Sequence, residues 1–222
     1  MPLGVPAPPS SDTIHRALKE FGLTANNLQV QQIQEYTRLL LKWNEAVNLT
    51  AIRDPLEMLY RHLCESMFAA SVVPLGSGRL ADVGSGGGFP GLPLKILCPQ
   101  VELFLIESNV KKATFLAEVV RDLGLTGARV LVSRYEELGE EVAPLDFVCS
   151  RALGEFPGFV KWASSREVNA KQLLLWIGGR DLEEVAALPG WEWQEPIKIP
   201  KSLRRFLLIA TKQAAPTPIG QN

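Results

Sequence analysis

The rhythm of apolar residues changes near residue 76. From Ser11 to about Val73 the spacing is helical: Ile33, Tyr36, Leu40, Trp43 and Val47 recur at steps of three and four, which places them on one helix face. Asp54 followed by Pro55 reads as the cap and first position of a second helix. From residue 79 short continuous apolar runs take over: "RLADVG", "VELFLIE", "ARVLV", "LDFVCSR" and "QLLLWI". Amphipathic stretches separate them and predict helices from about 90, over 109–123 and over 157–168. Unbroken apolar strands alternating with helices predict a parallel sheet covered on both faces. The end differs, since "WEWQEPIKIP" and "RRFLLIATK" follow one another without a helix and should pair antiparallel at the sheet edge. The expected architecture is α/β: a mostly parallel seven-stranded sheet with an antiparallel edge and an N-terminal helical extension.

The corresponding division is a disordered, Pro-rich start over 1–10, a helical extension over 11–75, an α/β domain over 76–211 and a tail over 212–222. With 222 residues, 46% of them hydrophobic and 21% charged, the chain is long enough for one sizeable core. Cys64, Cys98 and Cys149 lie far apart among apolar neighbours, the pattern of buried thiols in a reducing compartment. The start lacks the regions of a signal peptide and no apolar run reaches membrane-spanning length, so the expected location is the cytoplasm, with no membrane and no metal. Net charge is −1, but the last 72 residues carry ten Lys/Arg against seven Asp/Glu. A nucleic-acid partner therefore needs a local patch, for which Lys161, Lys171, Arg180, Lys201, Arg204 and Arg205 are the candidates.

Candidate chemistry concentrates in "LADVGSGGGFPGLPLKI", residues 80–96, where a strand feeds a glycine-rich turn and a helix. In an open α/β sheet this is where ligands bind, and glycines let them approach the backbone. A dinucleotide fingerprint can be forced onto Gly86, Gly88 and Gly91, but Phe89 interrupts it, and Pro90 removes an N–H where a pyrophosphate wants donors. The phosphate loop is excluded because no G-K-[ST] follows. Asp82-x-Gly84-x-Gly86-x-Gly88 fits without shifting and resembles the first motif of S-adenosylmethionine-dependent methyltransferases. That ligand has no phosphates and carries an ammonium and a sulfonium, so a carboxylate, Asp82, suits its methionine end. Glu107 at the tip of the next strand suits its ribose hydroxyls, although a dehydrogenase uses such a carboxylate in the same way.

Further motifs narrow the resemblance. "KWNEAVNLTAIRDPLEMLYRHLCES", "DVGSGGGFPGLPLKI", "KKATFLAEVVRDLGL", "SRYEEL" and "CSRAL", in this order and spacing, resemble the RsmG (GidB) family of small-subunit rRNA guanine-N7 methyltransferases over roughly residues 20–211. The resemblance implies a Rossmann-like core, S-adenosylmethionine as methyl donor with S-adenosylhomocysteine as product, and a guanine at position 527 in the usual 16S rRNA count. It implies small-subunit rRNA or an assembling ribosomal particle as partner of a monomeric enzyme. It also carries cofactor contacts to Gly84, Phe89, Tyr135, Glu136 and Arg151, with Phe89 as a pocket wall and the backbone at 135–136 flanking adenine. Arg151 alternatively holds the guanine, whose O6 and N7 edge suits an arginine fork.

Guanine N7 presents an unprotonated lone pair, so transfer needs alignment and no catalytic base or nucleophile. His62 is accordingly expected as a hydrogen-bonded structural residue. Two positions depart from the family pattern: Gly178 stands where members carry a lysine, and Arg205-Phe206 where they carry Arg-His. Both bear on how the substrate is gripped. The alternatives are a same-fold methyltransferase with another RNA or small-molecule substrate, an NAD-binding oxidoreductase, and an inactive RNA-binding module.

Overall fold

The computed structural model describes residues 6–151 and 154–213. Helices α1 (Ser11–Glu20) and α2 (Asn27–Asn44) come first, capped by the side chains of Ser10 and Asn26. Asp54 caps α3 (Pro55–Met58) by accepting from the Glu57 N–H at 2.7 Å, as its position before a proline predicts. That helix continues through a π-helical stretch, Leu59–Cys64, into α4 (Glu65–Met67).

The sheet then alternates with helices: β1 (Arg79–Val83), α5 (Gly91–Leu97), β2 (Glu102–Ile106), α6 (Val110–Asp122), β3 (Ala128–Leu131), β4 (Phe147–Arg151), α7 (Phe156–Ser164), β5 (Gln172–Gly178) and α8 (Leu182–Ala186). The chain closes with β6 (Trp191–Trp193), β7 (Ile197–Lys198) and β8 (Arg205–Lys212). Strand order is β3-β2-β1-β4-β5-β8-β6, with β7 also on β8; β1 to β5 run parallel, and β8 is antiparallel to β5, β6 and β7. The sheet thus has eight strands in place of the expected seven. "WEWQEPIKIP" does not form one edge strand; it is broken between Trp193 and Ile197 around Pro196, which has no N–H to give a ladder.

Side chains alternate between two cores. Leu103, Leu105, Leu174 and Trp176 face the layer formed by α1 to α6, while Phe104, Ile106, Leu173 and Leu175 face α7 and α8. This double coverage is why the strands read as continuous apolar runs. The helical extension shares the first core, through Ile14, Ile33 and Tyr36.

The termini differ in part from expectation. Pro9 is buried and its carbonyl accepts from Gln34 Nε2, so the expected disorder of 1–10 does not extend to its last residues; residues 1–5 lie outside the described residues. At the other end Lys212 still belongs to β8, opposite Trp191, and the remainder of the expected tail, 214–222, also lies outside them. The three cysteines are unbonded, Cys64 and Cys149 buried and Cys98 partly so. No described helix is long and apolar enough to cross a membrane.

Candidate functional site

Strand order reverses between β1 and β4, and the crevice beyond their carboxyl ends is where an open α/β sheet binds ligands. Two cavities open there. The first, about 210 Å³, lies beyond β1, β2 and β3 and is lined by Gly84, Glu107, Ser108, Arg134, Tyr135 and Glu136 among others. The second, about 490 Å³, lies beyond β4 and β5 and is lined by residues that include His62, Arg151, Phe156, Trp176, Asp181 and Arg205.

The glycine turn has a property its composition does not reveal: its amides face inward. Gly84 and Ser85 N–H donate to the Ile106 carbonyl, Gly88 and Phe89 N–H to the Ser85 carbonyl, Gly86 N–H to Glu107 Oε2 at 2.8 Å and Gly91 N–H to Asp82 Oδ2 at 3.0 Å. Pro90 has none to offer. An anion cradle needs several unspent amides, and in this turn only the Gly87 N–H is without an acceptor among the described residues; a ligand without phosphates fits. Gly84 brings backbone without a side chain to the β1 wall of the first cavity, at a φ of 69° that favours glycine.

The structure brings Gly84, Glu107, Tyr135 and Glu136 together at one cavity. Glu107 is held there by its bonds from Gly86 and from the Asn109 N–H, and each carboxylate oxygen keeps a second lone pair for a hydroxyl. Tyr135 begins a one-turn 3₁₀ helix, Tyr135–Glu137, whose ring packs against Trp162 and Phe159.

Four expected contacts are corrected. Asp82 is fully buried behind the turn, where Gly91 N–H and the Cys149 thiol occupy its oxygens, so it braces the start of α5 and does not reach the cavity. Gly86 acts on Glu107 and lines neither cavity. Phe89 is not a pocket wall: its ring is buried, stacked on His62 at 4.5 Å and tilted against Tyr36 at 5.8 Å. Arg151 reaches the second cavity, not the first.

Burial pushes the Asp82 carboxyl up from 3.8 to about 7, against the Gly91 bond that pulls it down. A folded-state value above the unfolded one means that the fold favours the protonated acid. Its contribution to stability is complete below 3.8 and is lost as pH rises through about 7. Urea titrations at several pH values should show wild type losing stability across that window and Asp82→Asn losing less; parallel curves would remove the assignment.

At the second cavity the deciding feature is a buried acid between two arginines. Glu65 accepts from Arg151 at 3.2 Å and from Arg205, and the three side chains are 5%, 11% and 28% exposed. Arg151 also donates to the Arg61 carbonyl at 2.6 Å. Burial lowers Arg151 to about 10, partly offset by Glu65, so it stays charged at neutral pH. His62 bonds Thr50 through Nε2 and stacks on Phe89, as a structural histidine should, yet it also lines the cavity with Nδ1 unpartnered. Burial, with Arg151 and Arg205 nearby, pushes it down to about 3, so it is neutral.

The expected basic patch divides. Arg204 and Arg205 line the second cavity, and with Lys201 and Arg61 they also line a recess of about 380 Å³ beside it. Arg180 is exposed in the turn between Gly178 and Asp181. Lys171 leaves the patch: it precedes β5, at the opposite end of the strands, and pairs with Asp146 at 2.7 Å. Lys161 is exposed on α7 and lines none of these cavities. Sequence reading missed Asp181, Phe156 and Trp176 as lining residues; the rule that sites lie beyond strand ends could have found the first.

Comparison with known proteins agrees with this geometry. The family model described as rRNA small subunit methyltransferase G (GidB) matches residues 29–194. A ribosomal RNA small subunit methyltransferase G from Xylella fastidiosa is 42% identical over 201 residues, covering 87% of this chain and 93% of its own. Its counterpart from Pseudomonas aeruginosa is 40% identical over 179 residues, covering 81% and 83%. Among solved structures, a SAM dependent methyltransferase from Aquifex aeolicus superposes with a TM-score of 0.58 at 15% identity, covering 75% of this chain and 97% of that one. At that identity the likeness establishes the shared fold.

Proposed function

The chain belongs to the rRNA small subunit methyltransferase G family, and from that premise we propose that it moves a methyl group from S-adenosylmethionine to N7 of a guanine in small-subunit rRNA, at position 527 of the usual 16S count. Membership of a methyltransferase family sets aside the oxidoreductase reading. The observation that carries the proposal is the pairing of two cavities across the β1–β4 reversal, one walled by a turn with nearly all its amides spent, the other by a charged arginine.

The donor supplies an electrophilic methyl group on its sulfonium. The chain supplies placement. Glu107 accepts from the ribose hydroxyls, the backbone at Tyr135 and Glu136 flanks adenine, and Gly84 leaves room beside them. Arg151, fixed by Glu65 and the Arg61 carbonyl, donates to guanine O6, and Phe156 offers a face for the base. N7 needs no deprotonation, which agrees with a neutral His62. Arg204, Arg205, Lys201 and Arg61 neutralise neighbouring phosphates. We place the enzyme in the cytoplasm as a monomer acting on rRNA or an assembling particle.

Mapping of N7-methylguanine in rRNA from a deletion strain tests the proposal: the modification should vanish at this one position and return with the intact gene. Unchanged modification refutes the target. Calorimetry with S-adenosylhomocysteine and NADH should give binding of the first alone, and a protein that binds neither is the inactive module.

A further inference from the structure

We propose that Asp181 selects the target base, its carboxylate accepting from N1–H and the N2 amino group of a guanine lodged in the cavity beyond β4 and β5. The inference rests on the guanine-N7 reading above and names the residue that distinguishes guanine from adenine there.

Asp181 follows the turn at the end of β5 and lines that cavity together with Arg151, Arg204 and Arg205. Among the described residues it is the one acid on the wall. It stands at the cap position of α8, yet its side chain accepts no bond from that helix, whereas Asp54, Asn109 and Glu155 all cap theirs. Gly178 puts no side chain beside it: a Cβ built there would touch Asp181 Oδ2 at 3.6 Å, in ordinary van der Waals contact. The result is a carboxylate not spent on its own helix, in a cavity whose wall also carries Arg151, Arg204 and Arg205 and the rings of Phe156 and Trp176.

Guanine presents opposite chemistry on its two edges. O6 accepts, which suits Arg151 and leaves the N7 lone pair free for the methyl group, whereas N1–H and the N2 amino group donate, which suits a carboxylate. Adenine has a lone pair at N1 and no N2 amino group, so it would leave Asp181 without a donor and face it with a like-signed edge. The reaction strengthens the contact. As N7 forms its bond to the methyl carbon, the sulfur–carbon bond breaks with its electron pair staying on sulfur, and the positive charge passes to the guanine ring. A carboxylate across the ring favours that charge more in the transition state than in the ground state. Arg151 and Arg205 oppose it, and Glu65 is already committed to both.

Inosine lacks only the N2 amino group and is the probe. Methyl transfer is measured with small-subunit rRNA carrying guanosine or inosine at the target position, presented free and as an assembled particle. Wild type should prefer guanosine in kcat/KM by about 10- to 100-fold, the range of one hydrogen bond to a charged group. Asp181→Ala should lose most of its rate on guanosine and treat the two substrates alike, and Asp181→Asn should fall between. Affinity for S-adenosylhomocysteine should stay unchanged in both variants. A role confined to holding α8 would lower both substrates equally, so a variant that keeps the wild-type preference overturns the proposal, as does a wild type indifferent to inosine. If Asp181→Ala folds poorly, the same ratio is read from Asp181→Asn. A wild type that methylates guanosine in neither form overturns the guanine-N7 reading itself.

Discussion

Glu65→Ala should lower unfolding stability by about 3–5 kcal/mol, the cost of breaking a buried ion pair from one side. Glu65 is 5% exposed and holds Arg151 and Arg205 at once, so its removal leaves two guanidinium groups facing each other without a counter-charge. Arg151, 11% exposed, is the worse placed, and only carbonyls and the Ser66 hydroxyl remain to it. The unfolding midpoint in urea should fall with an unchanged slope. Adding Arg205→Met to Glu65→Ala should recover part of the loss by removing one of the stranded charges, a coupling that a double-mutant cycle isolates. If the two substitutions add independently, the triad is not the origin of the effect.

Gly84→Val is expected to weaken binding of S-adenosylhomocysteine by a factor of about 100 or more, because an obstruction built into a site costs the whole energy of displacing it. Gly84 lines the first cavity, and its φ of 69° is one that a β-branched residue enters at a cost of about 1–3 kcal/mol in the folded state. Affinity and stability should therefore fall together, and Gly84→Ala should show the same pair of effects in smaller measure. Calorimetric titration beside urea unfolding separates them. Wild-type affinity in a folded Gly84→Val protein would remove this turn from the cofactor site.

The two variants also mark what the sequence made legible. Gly84 and Glu107 were readable because each sits at the carboxyl end of a strand, and strands announce themselves by their apolar runs, whereas Tyr135 and Glu136 came only from the family resemblance of "SRYEEL". The direction of a side chain within a loop leaves no such trace. Asp82 and Phe89 flank the glycines in sequence, yet one turns behind the loop and the other into the helical core. The Arg205–Glu65 pair joins residues 140 positions apart, so "RHLCES" and "LRRFLL" give no local hint of one another. The same holds for β8, whose insertion between β5 and the broken edge is decided by packing on two cores and not by its own pattern. The π-helical stretch over Leu59–Cys64 is likewise invisible to a reading based on steps of three and four.

The inward-facing amides of the glycine turn have a consequence for the company the enzyme keeps. Adenosine is shared by the methyl donor and by the nucleotides, so a pocket that grips adenine and ribose meets both. A turn with several unspent N–H groups would reward a phosphate chain, whereas this one, closed by bonds to Ile106, Ser85, Glu107 and Asp82, leaves the Gly87 N–H alone without an acceptor among the described residues and sets the Glu107 charge against it. On the proposed cofactor placement, selectivity for the methyl donor over nucleotides is expected to come from refusal, carried by the backbone of residues 84–91.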